Sequence, residues 1–169
     1  MRKAYCRSEA QRLLSDCTIN APPVDATAAA ASLFLEVQVK RPWRWASRSL
    51  LRREDGQIWV NADESRRGQR FSIGHEIGHF LLHPDTSVFS EHADPETLDY
   101  APDPQKTLEA EADYFSSVLL VPPKWFSADV LVGLQTRELV CRYDVSDEVV
   151  FIALQQRGLL SRLGKRSRR

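Results

Sequence analysis

The sequence predicts an α+β fold: a small antiparallel sheet of three strands packed against an HExxH helix and a second, acidic ExxxD helix, followed by a helical C-terminal segment. Three observations carry this expectation. Period-two alternation is confined to residues 35–61, helical periodicity dominates on either side of it, and the run Arg70–His83 sets HExxH among apolar residues. A chain of 169 residues suits one domain with a sizeable core, or such a core with a small appendage.

Taken in order, residues 3–16 place Ala4, Ala10, Leu13 and Leu14 among charges at helical spacing, which predicts a first helix. Pro22 and Pro23 interrupt it, and the Ala-rich stretch from Val24 to Leu33 predicts a second, with Pro23 near its start. Leu35–Val39 alternates apolar and polar residues, as a half-buried strand does. Ser49–Arg53 and Gln57–Asn61 flank Asp55-Gly56, a pair favoured in hairpin turns, and complete the expected sheet. The HExxH helix follows and stops at Pro84. A stretch rich in Asp, Pro, Ser and Glu then runs to Gln105, and a loop of that length in a small domain is commonly functional or mobile.

Leu108–Leu120 returns to helical spacing with Leu108, Ala112, Phe115 and Leu119 on one stripe, ending before Pro122-Pro123. Leu131–Tyr143 is again helical in spacing, and Ser146 is the natural N-cap of a last helix. Helix, turn and helix in succession resemble a DNA-reading unit. Val149–Leu154 is almost wholly apolar, however, with Gln155, Gln156 and Arg157 only at its end, which favours completing the core or docking a partner over DNA binding.

Charge excludes a broad electrostatic attraction to nucleic acid or membrane, since 23 basic residues balance 23 acidic ones. Cys6, Cys17 and Cys141 are odd in number and lack ligand spacing, as free thiols of a reducing compartment would be. No apolar run reaches the length of a membrane span and the N-terminus lacks a signal-peptide core, so a cytoplasmic location is expected. The basic aromatic stretch Lys40–Trp45 is either a nucleic-acid or peptide contact or a loop whose tryptophans cover the core edge.

The chemistry concentrates in HExxH. Residues four apart on a helix share a face, so His75 and His79 can direct imidazole nitrogens at one metal ion. Glu76, about 100° further round, flanks that ion where a carboxylate can take a proton from water. Phe71, Ile73, Ile77, Phe80, Leu81 and Leu82 imply that this helix is largely buried. Its polar groups then require a metal or an extensive hydrogen-bond network. Gly74 and Gly78 weaken a helix by about 1 kcal/mol each, so they point to close approach of another backbone.

A catalytic zinc takes three protein ligands and keeps one position open. His83, His92, Glu109 and Glu111 are the downstream candidates for the third. Glu109 has Asp113 four residues on, placed to support a ligating histidine, whereas Glu111 lies about 160° away on the helix and has no such support. His83 is in the last turn, where an imidazole can meet helix carbonyls. His92 is in the long loop, either exposed or facing a transition state. Tyr100, His92 and Tyr114 are candidates for stabilising an oxyanion.

The strings RFSIGHEIGHFLLH and EAEADYFSSVLLVPP, separated by a variable loop, resemble the ImmA/IrrE family of zinc metallopeptidases. The likeness covers roughly residues 20–125 and includes the Pro-Pro-Val-Asp entry to the second helix. Ser116-Ser117 and Val121 depart from the family's usual Ala and Met. The resemblance implies Zn2+ held by His75, His79 and Glu109, a zincin-like peptidase domain over 1–125, and a helix-turn-helix repressor as protein substrate. Residues 126–163 would form a helical subdomain and 164–169 a basic, disordered tail. The expected function is a zinc endopeptidase with Glu76 as general base, acting in stress or mobile-element regulation. The alternative is a non-proteolytic zinc module that binds a regulator or DNA.

Overall fold

The computed structural model describes residues 1–45, 47–84 and 104–162. Along the chain these form α1 (Lys3–Asp16), α2 (Ala26–Ser32), β1 (Glu36–Lys40), β2 (Ser49–Arg52), β3 (Gln57–Asn61), α3 (Arg66–Leu82), α4 (Pro104–Leu120), α5 (Pro123–Leu131), α6 (Thr136–Tyr143) and α7 (Asp147–Gln156). A short 3₁₀ turn, Leu160–Arg162, follows. His92, Tyr100, most of the long loop and the basic tail lie outside the described residues.

Helix starts follow their caps. α2 begins at Ala26 because the Asp25 carboxylate accepts from the Thr27 and Ala28 amides, at 3.0 Å each. Ser65 accepts from Gly68 N–H at the head of α3, and Ser146 from Val149 N–H at the head of α7, as expected for that serine. The tandem prolines end α4 and open α5, a helix the apolar spacing did not separate. The expected helix 131–143 is therefore two pieces: Leu131 closes α5, Gly133 turns the chain at φ +97°, and Gln135 with Glu138 forms a capping box for α6.

The sheet is mixed, which corrects the all-antiparallel expectation. Its order is β1-β3-β2: β2 and β3 form the antiparallel hairpin, while β1 runs parallel to β3 with Glu36 opposite Gln57 and Lys40 opposite Asn61. Alternation tells which face a residue takes but not which strand lies beside it. β3 takes the centre because it is the most apolar strand, with Ile58 and Val60 fully buried. Its other face carries Trp59, flanked by Lys40 at 4.6 Å and Arg52 at 4.4 Å from the ring centre and by Trp45 at 5.6 Å. The basic aromatic stretch thus folds back over its own sheet.

One apolar cluster runs from Cys6 in α1 to Leu154 in α7, so the helices of 126–163 share the core of the preceding residues. α3 and α4 form the most extensive pairing. A Cβ on Gly78 would stand 3.1 Å from the Ala112 Cα and 3.2 Å from the Phe115 side chain, and one on Gly74 would stand 2.5 Å from the Ser116 hydroxyl. The glycines let the two helices approach closely, as their presence in a buried helix suggested. Cys6, Cys17 and Cys141 are free, and among the described residues no helix is long and apolar enough to cross a membrane.

Candidate metal centre

One turn of α3 brings His75 Nε2 and His79 Nε2 to 3.0 Å of each other. α4, pressed against α3 at the glycines, supplies Glu109: its carboxylate oxygens lie 3.2 Å from His75 Nε2 and 3.4 Å from His79 Nε2. His75, His79 and Glu109 can each offer one ligand atom, all within 4.8 Å of one another. Bonds near 2.0–2.1 Å at tetrahedral angles set donor atoms about 3.3 Å apart, so these separations suit a zinc-sized ion. Two imidazoles and one carboxylate also match the ligand chemistry of a catalytic zinc with an open position.

Electrostatics agree with a cation site. Burial alone would depress His75, but hydrogen bonds to Asp113 and Glu109 and the nearby Glu76 charge raise its pKa to about 10. Hydrogen bonds from His75 and His79 hold Glu109 well below the usual carboxylate range, against the effect of burial. Without a metal, a proton on His75 balances the carboxylates. Asp113 Oδ1 meets His75 Nδ1 at 2.8 Å, orienting that ring from behind.

Glu76 is 6 % exposed, and its Oε1 accepts from the Ser49 hydroxyl at 2.7 Å. Ser49 opens β2, so the hairpin edge fixes this carboxylate. Sequence reading missed Ser49, because no local pattern marks a serine twenty-seven positions away as a partner. It also missed Arg53, whose guanidinium donates to the carbonyls of His79, Phe80 and His83 at 2.9, 3.1 and 3.2 Å. Arg53 performs the C-terminal capping expected of His83.

The other candidates are placed elsewhere. Glu111, 2 % exposed, turns away from the donor set and is engaged by Arg2 and by His83 Nε2. The Arg2 hydrogen bonds outweigh burial and hold its pKa down to about 2. His83, 4 % exposed, links Glu111 to His79. The Tyr114 hydroxyl accepts from Arg7 of α1 at 2.9 Å, so Tyr114 faces α1, and the oxyanion role considered for it does not fit this placement.

The Peptidase_M78 family model, the IrrE N-terminal-like domain, matches residues 41–155, and the chain belongs to that family. Among solved structures, a Mycobacterium tuberculosis transcriptional regulator shares the fold at a TM-score of 0.66 and 14 % identity, over 98 % of this chain and 48 % of that one. The present chain thus spans about half the length of that regulator. No curated protein matches the chain.

Proposed function

We propose that the protein is a zinc-dependent endopeptidase in which His75, His79 and Glu109 hold the metal and Glu76 is the general base. The observation that carries this reading is the convergence of two imidazole nitrogens, 3.0 Å apart, with a carboxylate whose two oxygens lie 3.2 and 3.4 Å from them, beside a buried Glu76 that takes no part in the donor set. Zinc bound there supplies a Lewis acid that polarises a peptide carbonyl and lowers the pKa of water to about 7.

The chain's own residues do the rest. Ser49 fixes Glu76 Oε1, leaving Oε2 to accept the proton of the attacking water and carry it to the departing amine nitrogen. Burial of Glu76 keeps bulk water from competing for that proton. A structural zinc has no need of such a base, which favours hydrolysis over a purely regulatory metal module. The substrate is proposed to be a helix-turn-helix repressor. Membership of the IrrE-like family and a fold shared with a transcriptional regulator support a place in gene regulation.

Incubating the zinc-loaded protein with candidate repressors and mapping fragments by mass spectrometry tests the proposal. Glu76→Gln is expected to retain zinc and lose at least about 100-fold in cleavage rate. Cleavage that persists in that variant, or that survives complete zinc removal by a chelator, would refute the mechanism. Binding of a repressor without cleavage by the wild type would favour the non-proteolytic module.

A further inference from the structure

Behind His79, on the side away from the donor set, hydrogen bonds run unbroken to the start of α1. His79 Nδ1 lies 3.1 Å from His83 Nδ1, and His83 Nε2 lies 3.2 Å from Glu111 Oε2. Both oxygens of Glu111 meet Arg2: Oε1 accepts from the backbone N–H at 2.6 Å and from Nε at 3.2 Å, and Oε2 accepts from the guanidinium at 2.7 and 3.1 Å. A further guanidinium bond, 3.2 Å long, reaches the Leu82 carbonyl at the end of α3. Arg2 therefore ties α1 to both helices of the metal centre.

The direction of every link follows once His79 Nε2 gives its lone pair to a cation. His79 must then carry its proton on Nδ1 and donate to His83 Nδ1. That acceptor nitrogen places the His83 proton on Nε2, where it donates to Glu111. An ionised carboxylate only accepts and a guanidinium only donates, so Glu111 and Arg2 close the sequence without conflict. His83 and Glu111 are too deeply buried for solvent to replace a missing partner. An Arg–Glu pair by itself would need no histidine. One whose opposite end holds the ring of a proposed ligand has a further use.

We infer that His83, Glu111 and Arg2 are positioning residues of the metal centre, holding His79 in the tautomer that offers Nε2, so that α1 is a working part of the site. The inference rests on the metal reading above. Residues of this outer kind change metal affinity by about 10–100-fold when removed.

Competition for zinc against a chromophoric chelator, using the full chain, tests it. His83→Phe is expected to weaken zinc binding by about 10–100-fold. His83→Gln is expected to recover most of that loss, because its amide can accept from His79 and donate to Glu111. Arg2→Ala, at a half-exposed side chain, should weaken binding a few-fold, on the order of the loss of one or two links of the sequence. Nitrogen-detected imidazole spectra of the zinc-loaded wild type should show His79 protonated on Nδ1 and His83 on Nε2.

Wild-type affinity in both His83→Phe and Arg2→Ala, or the opposite His83 tautomer, overturns the inference. If His83→Phe does not fold, Arg2→Ala and the imidazole spectra decide. Failure of the underlying metal reading looks different: the wild type binds no zinc, or His79→Ala binds it as tightly as the wild type.

Discussion

Each histidine of the proposed centre has two nitrogens, and the partner at Nδ1 decides what Nε2 can do. Asp113 plays that part for His75, so Asp113→Ala is expected to lower zinc affinity by about 10–100-fold, as chelator competition would register. Protonation gives a second test. In the metal-free fold His75 has a pKa of about 10, above the 6.5 of an unperturbed histidine. Its proton therefore contributes stability that is complete below pH 6.5 and is lost as pH rises through 10. Zinc must displace that proton. Affinity for zinc is expected to keep rising above pH 6.5 and toward 10, and titrations in buffers of different ionisation heat should reveal proton release. A profile already level near pH 6.5 would show that Asp113, Glu109 and Glu76 do not act on His75 as the geometry indicates.

Among the elements, the α3–α4 pair matters most, because it spans the proposed donor set: two of the proposed ligands stand on one helix and the third on the other. Gly78 faces Ala112 and Phe115 across this contact, where even a Cβ would stand 3.1–3.2 Å from them and force the neighbours to give way. Gly78→Val is expected to cost about 1–3 kcal/mol through overpacking, measured by urea unfolding of the metal-free chain. It should also weaken zinc binding under conditions where the variant is folded, since pushing α4 outward moves Glu109 away from the histidines. A capping change remote from the site is the contrast. Asp25→Ala should cost about 1 kcal/mol, by the same unfolding measurement, and leave zinc affinity unchanged.

Across the whole molecule, the turn between α6 and α7 is fastened to the helix that carries HExxH. Asp144, in a left-handed conformation at φ +49°, forms ion pairs with Arg66, Arg67 and Arg70 on the first turns of α3. Arg70 also donates to the carbonyls of Val24 and Asp144 at 2.8 and 3.1 Å, joining α3 to the segment that leads into α2 and to the C-terminal turn. Arg70→Ala should cost about 1–3 kcal/mol by stranding these acceptors, seen as a lower urea midpoint. In the helix pair α6–α7, the surface of the second helix disfavours a DNA-reading role. Its would-be reading helix starts with the exposed acids Asp147 and Glu148 and shows Phe151 and Ile152 outward, where phosphates would require cations. No affinity for duplex DNA that falls steeply with salt is expected in an anisotropy titration.

What the sequence determined by itself is whatever depends on spacing along one element. HExxH places two imidazoles on one helix face, Glu109 and Asp113 share a face four residues apart, and Gly74 and Gly78 mark a close contact before its partner is known. The Asp55-Gly56 hairpin and the Ser146 cap are local in the same sense. Only the tertiary structure decided what depends on neighbours distant in the chain. It put β3 between β1 and β2, because alternation fixes a face and is silent about strand order. It gave Ser49 to Glu76, Arg53 to the end of α3, and Arg2 to Glu111 across one hundred and nine positions. These pairings come from buried charges and carbonyls that must find partners wherever packing brings one within reach, and no periodicity along the chain encodes that requirement.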